Sequence, residues 1–553
     1  MDIKRMTVFF AVSLLILLGW EKIFPSQQPA VSAVQQAGQQ QTAPTIPAET
    51  GLSPAVPITV STDTVNAVID EKSGDLRSLT LLKYDSAEDQ SKPFTLFHDG
   101  NDGIYVAQSD VVDAAGRSLT QGLSFQSAKK QYSLEGDKAE VRLTANTANG
   151  IQIDKIYTFT KGSYLVGIRF DVTNRSGSPI RTDGSYRIVR DGKAPEGQGY
   201  FMANYTGPVL YTPQGGFQKV KFGDLDDDFK EGREQAEYER KTQSGWVGMS
   251  QHYFFSSWIL QPKGGQSVCA ADACRIDIKR RSDNLYSAGV IVPQPELANG
   301  MKQSFGISLY AGPQTTSALG KIADHLELIK DYGRVHWPAT GLFWLMDKLH
   351  GFTGNWGWAI VLLTIIVKIV LFPLNNAAYK SMAKMRRLGP EMQRIKERYG
   401  DDRQAASMAM MKLYKDEKVN PASGCLPMLL QIPFFIAFYW VLIESVELRH
   451  APWLGWIHDL SAMDPYFILP IINAALMFLQ QKLNPPPPDP TQAKVMMMLP
   501  LVFGVMFMWF PSGLVLYWTV SNAFGIVQQY IMNKRYGERQ PGQHHHHAKG
   551  NKA

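Results

Sequence analysis

From Trp356 to the C-terminus, apolar stretches alternate with loops whose charge switches between strongly basic and acidic. Few folds are open to such a chain. Hydrocarbon requires every backbone N–H and C=O to be satisfied internally, so such stretches enter or cross a membrane as helices. They run near Trp356–Leu374, Cys425–Ile443, Pro465–Gln481, Val495–Phe510 and Gly513–Met532. Two of them, Pro465–Gln481 and Val495–Phe510, fall short of the roughly 20 residues of a full crossing. Short spans imply a locally thinned bilayer. The loop from Asn375 to Asn420 carries 11 Lys and Arg residues. The next holds Glu444, Glu447, Asp459 and Asp464 against Arg449 alone. Then follow Lys482 and Lys494, an uncharged Pro511-Ser512 link, and finally Lys534 and Arg535. Under the positive-inside rule, basic loops are cytoplasmic and so are both termini.

At the N-terminus, basic Lys4-Arg5 precedes an apolar run from Met6 to Trp20. Bulky Trp20, Ile23 and Phe24 stand where a cleavable signal needs small residues, so residues 1–24 read as an uncleaved anchor. Residues 25–57 are rich in Gln, Ala, Pro, Ser and Thr, with Glu49 the only charge, the composition of a flexible tether. From Ile58 the period becomes two. In Leu165–Asn174, Val166, Ile168, Phe170 and Val172 share one face, and polar Arg169, Asp171 and Thr173 share the other. That is a half-buried antiparallel strand. Its recurrence makes residues 58–335 a large β-sandwich, which the charge pattern puts in the periplasm. Near its end, Ser317–Tyr332 shows a helical stripe of Leu319, Ile322, Ala323, Leu326 and Ile329. Residues 336–353 follow as an amphipathic helix, with Trp337, Phe343 and Trp344 suited to the membrane interface. The second span is then 354–374. Residues 375–420 form a cytoplasmic helical hairpin broken at Tyr399-Gly400-Asp401-Asp402, residues 421–533 the last four spans, and residues 534–553 a basic cytoplasmic tail. The fold class is an α-helical polytopic membrane bundle of six transmembrane helices with a large periplasmic all-β sandwich.

Lys368 interrupts the first apolar segment of the C-terminal half. A cation at a helix centre costs about 2.5–3.5 kcal/mol on insertion scales unless its surroundings are wet or polar. Thr364 lies one turn earlier on the same face. The plain alternative is snorkelling, since Leu374 is only about 9 Å of helix rise away. Other segments carry Gln431, Asn473, Tyr517, Ser521 and Asn522. Singly, each reads as an interhelical hydrogen bond; together with a lysine they suggest one hydrophilic cavity. Met382, Met385, Met392 and Ile395 stripe one arm of the hairpin, and Ala405, Met408 and Met411 the other, while Met496, Met506 and Met508 follow further on. Such stripes usually pack, and they also suit adaptable contact with varied apolar partners. Cys269 and Cys274 are spaced to close a small disulfide loop in an oxidising compartment; two free thiols fit equally well. No Walker-type loop, zinc-ligand spacing or nucleophile elbow occurs, which argues against catalysis, a metal or a cofactor.

Several motifs carry a family likeness. Asn355-Trp356-Gly357-Trp358, Ser381-Met382-Ala383-Lys384-Met385, Lys418-Val419-Asn420-Pro421, Gly424-Cys425, Trp456-Ile457-His458-Asp459-Leu460 and the run from Trp509 to Trp518 closely resemble the YidC family of membrane-protein insertases. The anchor and the large sandwich are similar to its Gram-negative version. The resemblance implies an intramembrane groove open to cytoplasm and lipid, with a positive residue inside it, here Lys368. Most bacterial members carry arginine there; lysine keeps the charge and loses the planar bidentate fork. Thr364 and Tyr517 match positions associated with the groove and substrate contact. The implied partners are nascent membrane proteins, the Sec translocon, the ribosome through basic loops and tail, and the lipid bilayer. A monomer with a chaperone role is expected. Two rival classes are a solute or ion transporter using Lys368 as a counter-ion, and a tethered glycan-binding protein. For the latter the acidic run Asp224–Asp228 is tempting, although close acids in a loop are usually just solvated.

Overall fold

The computed structural model describes residues 55–537 apart from 101–102, 196–204, 233–235, 270–272, 283, 331, 333–334, 401, 418–425 and 484–489. The expected anchor, most of the tether and the tail beyond Gly537 lie outside the described residues. Strands from Pro57 to Pro313 form a 10-stranded and a 9-stranded sheet packed face to face. In the second sheet, Leu165–Asn174 lies antiparallel between Ile151–Thr160 and Lys302–Pro313. Val166, Ile168, Phe170 and Val172 enter the core as their alternation requires. Asp171, placed by period on the polar face, is nonetheless buried, because Arg169 and Lys302 close over it at 3.2 and 3.3 Å. In the first sheet, Gly103–Val112 pairs with Asp183–Arg190, setting Ser185 opposite Asp110 and Arg187 opposite Gln108. Cys269 and Cys274 are joined by a disulfide with Cα atoms 5.3 Å apart.

Two local expectations change. The acidic run is helical, within α1 (Phe222–Glu231), and Asp226 accepts from the Tyr286 hydroxyl at 2.8 Å and pairs with Arg280 at 3.0 Å. The Ser317–Tyr332 stripe is not one helix. It divides into α2 (Thr316–Ile322) and a 3-10 turn (Leu326–Ile329), with His325 at φ 61° between them. The Ile322 carbonyl accepts from Lys263 N–H, and the Lys263 ammonium pairs with Asp324, which pulls the chain out of the helix. Leu319, Ala323, Leu326 and Ile329 are still buried, against Trp246, Phe255 and Tyr310.

The remaining helices are α3 (His336–Thr353), α4 (Trp356–Val370), α5 (Phe372–Arg387), α6 (Gly389–Tyr399), α7 (Arg403–Asp416), α8 (Leu426–Glu444), α9 (Ile468–Leu483), α10 (Pro490–Met506) and α11 (Ser512–Gly537). Asn355 caps α4 by accepting from Trp358 N–H at 3.1 Å. The segment read as a continuous span to Leu374 bends by 59° between Val370 and Phe372. Pro373 is the cause: it has no N–H to give Ile369, and its ring clashes there. Among the described residues no single helix is long and apolar enough to cross a membrane, and this bent pair is the combination that is. Gln431–Glu444, Ile468–Leu483 and Lys494–Trp509 are shorter apolar helices. Their outer faces are oily all the same: Ile471, Met497, Leu501 and Val502 are each 59–60% exposed. A contiguous apolar face of this kind is at home against lipid.

In the basic hairpin, Leu388 and Met392 pack on Met385, Leu413 and Tyr414. The second arm therefore turns Ala406 and Leu413 inward, and Met408 and Met411 are 60% and 66% exposed. The packed stripe is therefore not the expected Ala405, Met408 and Met411, because Leu413 and Tyr414 make the contact.

Candidate functional site

Three helices meet at the lysine. On α4, Thr364 and Lys368 are four residues apart on one face, and both are buried. The Lys368 ammonium donates to Gln431 Oε1 on α8 at 3.1 Å. Gln431 Nε2 in turn donates to Ser521 Oγ on α11 at 2.8 Å. No carboxylate lies among these partners, so an ammonium here has one amide dipole and whatever water reaches it. Burial without a counter-charge strongly disfavours a cation.

The other polar residues do not all join this chain. Asn522 Nδ2 donates to Asn473 Oδ1 on α9 at 2.8 Å. Ser521 and Asn522 are adjacent, and successive helical residues point about 100° apart. The expected single cluster is therefore two links on different sides of α11. Thr364 returns its hydroxyl to the Ile360 carbonyl at 2.7 Å. Tyr517 is buried one turn before Ser521, its ring 4.6 Å from that of Phe438. A further link went unread in the sequence: Gln528 Nε2 donates to Asn376 Oδ1 at 2.8 Å, tying α11 to α5 just past the bend. Its signal was the seven-residue step from Ser521 to Gln528, two turns along one face.

The methionines do not form one surface. Met385 packs inside the hairpin, Met496 and Met506 lie on α10, and Met508 lies in the 3-10 turn Phe507–Trp509. The Met382 side chain lies outside the described residues. Among the described residues no group of three or more His, Cys, Asp or Glu could hold a metal ion.

Comparison with known proteins places both halves of the chain in one family. Residues 57–345 match the family described as the YidC periplasmic domain, and residues 348–539 match the 60Kd inner membrane protein family. The membrane protein insertase YidC of Neisseria meningitidis serogroup C (strain 053442) is 63% identical over 534 residues, covering 97% of this chain and 98% of that one. The chain belongs to the YidC family. The corresponding protein of Laribacter hongkongensis (strain HLHK9) is 48% identical over 545 residues, covering 97% and 98% of the two chains. A crystal structure of an active YidC insertase with its first transmembrane domain resolved is 19% identical, covers 87% of this chain and 94% of that one, and has a TM-score of 0.39. As a YidC-family member the chain is a bacterial inner-membrane protein, and its sandwich is the family's periplasmic domain.

That domain is bolted to the helices through the α8–α9 connection. His252 donates from Nε2 to the Ile443 carbonyl at 2.9 Å. Lys330, fully buried, pairs with Glu447 at 3.0 Å and lies 4.1 Å from the centre of the Phe343 ring. The Arg449 guanidinium stands over the Phe94 and Phe254 rings at 5.5 and 5.4 Å. Burial holds the His252 imidazole down at about 4 and pushes the Lys330 ammonium below its ordinary range, against the pull of Glu447. At neutral pH His252 is therefore uncharged, and it donates to the carbonyl as a neutral ring.

Proposed function

We propose that this protein inserts nascent proteins into the bacterial inner membrane by giving their polar segments a hydrated path past Lys368. The observation that carries this reading is the lysine itself. It is buried in an apolar helical cluster, is paired among the described residues only with the Gln431 amide, and lies on a short apolar helix that ends at a bend. At 1.5 Å per residue, the 15 residues of α4 rise about 22 Å, against roughly 30 Å of hydrocarbon. In this reading six spans, including the N-terminal anchor, carry both termini in the cytoplasm, and the groove is open to the cytoplasm and lipid.

A short polar segment of the substrate enters from the cytoplasm. If it is acidic, Lys368 attracts it, and part of the dehydration cost of crossing hydrocarbon is avoided. The apolar segment leaves sideways into lipid, driven by about 25 cal/mol per Å² of surface buried. The membrane potential helps draw negative residues outward, by roughly 2.3 kcal/mol per charge per 100 mV. The basic hairpin and tail meet the ribosome electrostatically, and the protein works as a monomer, alone or with the Sec translocon, also assisting folding. No nucleotide or cofactor is consumed.

The test is Lys368→Ala in proteoliposomes. Insertion of substrates with acidic translocated tails should fall several-fold, with uncharged tails less affected and Lys368→Arg close to wild type. Unchanged insertion of acidic-tailed substrates by Lys368→Ala removes the groove charge from the mechanism.

A further inference from the structure

The outer face of the periplasmic domain's first sheet holds a cavity of about 340 Å³, outside the path proposed for insertion. Tyr105, Ala107 and Val111 of the strand Gly103–Val112 face the core. Alternation therefore turns Gln108 and Asp110 outward, beside Arg187 and Ser185 of the next strand. Asp110 Oδ1 accepts from the Thr120 hydroxyl at 2.5 Å. The Arg187 side chain has no hydrogen bond or ion pair among the described residues. Asp75 closes one side and accepts from Gln108 Nε2 at 3.1 Å.

Behind Asp75 stands an expensive group. Lys155 comes from the opposite sheet, crosses the core fully buried, donates to the Ser109 carbonyl at 2.6 Å, and ends 4.0 Å from Asp75. Burial pushes its ammonium down to about 8 and the Asp75 carboxyl up. Replacing such a buried pair with apolar residues of similar volume commonly leaves a protein as stable or more so. Holding two sheets together does not require this charge. What it does achieve is a fixed carboxylate at the rim of a polar cavity, and clustered perturbed groups beside a cavity mark binding sites.

We propose that this cavity binds a small uncharged polyhydroxylated molecule, of mono- or disaccharide size, with Asp75 and Asp110 accepting from its hydroxyls and Arg187 donating to them. The lining offers donors and acceptors in mixture, and Lys72, Arg187 and, behind the wall, Lys155 offset Asp70, Asp75 and Asp110, so a net-charged ligand gains little. The volume lies at the low end of the roughly 300–1,000 Å³ typical of small-molecule sites.

The full chain in lipid nanodiscs, free of glycoside detergents, is titrated with glucose, N-acetylglucosamine and maltose by saturation-transfer NMR. At least one sugar should saturate with a Kd on the order of 1 mM, the affinity of a few hydroxyl contacts. Arg187→Ala and Asp110→Asn should each weaken it about tenfold, with the thermal unfolding of the domain unchanged. Thr120→Val, which frees Asp110 without removing it, should weaken binding less. The proposal is overturned if no sugar saturates on the wild-type protein, or if a saturable signal persists unchanged in both of the first two variants.

Discussion

Glu447→Ala should uncouple the periplasmic domain from the helices. The Lys330 side chain is 1% exposed and that of Glu447 20%. Removing the carboxylate strands a cation that water cannot reach, which costs about 3–5 kcal/mol. The Phe343 ring recovers part of this, about 1 kcal/mol for a partly desolvated cation–π contact. The net loss of about 2–4 kcal/mol should raise the opening equilibrium of the joint by roughly 30- to 1,000-fold. Hydrogen exchange of residues 326–332 and 446–460 reads that opening directly. Lys330→Met should cost less, because the surviving Glu447 keeps some water. Lys330→Met with Glu447→Leu should recover most of the loss. The pH dependence follows from linkage. In the variant, burial holds Lys330 below its unfolded value against only the weaker pulls of Glu444 and Asp347, so the open state binds more protons. The defect should therefore shrink as pH rises toward the ordinary lysine value of about 10.4. If Glu447→Ala exchanges at the wild-type rate, or the double variant is as loose as the single, the pair is not what holds the joint.

Three further outcomes are expected. His252 is held at about 4 by burial against an ordinary 6.5, so the closed joint loses stability as pH falls from about 6.5 to about 4, by about 3 kcal/mol in all; His252→Asn should flatten that pH profile in the same exchange experiment. Exchanging Cys269 and Cys274 for serine opens a six-residue loop and should lower periplasmic-domain stability by about 2 kcal/mol, read by thermal unfolding with and without reductant. Pro373→Ala should straighten the 59° bend, and spin-label distances between α4 and α6 should lengthen, whereas an unchanged distance assigns the bend to packing alone.

Much of this architecture is written into the chain locally. The alternation in Leu165–Asn174 announces a strand with one buried face, and Lys368 announces itself by its cost. Pairings are another matter. Leu165–Asn174 finds Lys302–Pro313 some 130 residues on, and only the three-dimensional register buries Asp171 under Arg169 and Lys302. The split of the Ser317–Tyr332 stripe comes from Lys263 in a distant loop, which periodicity cannot see. The bend at Pro373 was legible, yet the apolar run to Leu374 outweighed it. At the site, the residue types were visible as polar intruders, but not their grouping. Gln431 joins Lys368 to Ser521, while Asn473 takes Asn522 on another side of α11. Gln528 and Asn376 carry no such mark, because each sits at the edge of its apolar run, where polar residues need no explanation.

The most direct measurement places a single cysteine at position 368 in an otherwise cysteine-free, active protein and applies membrane-impermeant thiol reagents from the cytosolic side. Rapid labelling there, with a neighbouring lipid-facing cysteine at position 369 left unmodified, is what a wet lysine demands. A cysteine at 368 that stays unmodified while insertion continues would mean that water does not reach this depth, and that polar segments cross by some other way.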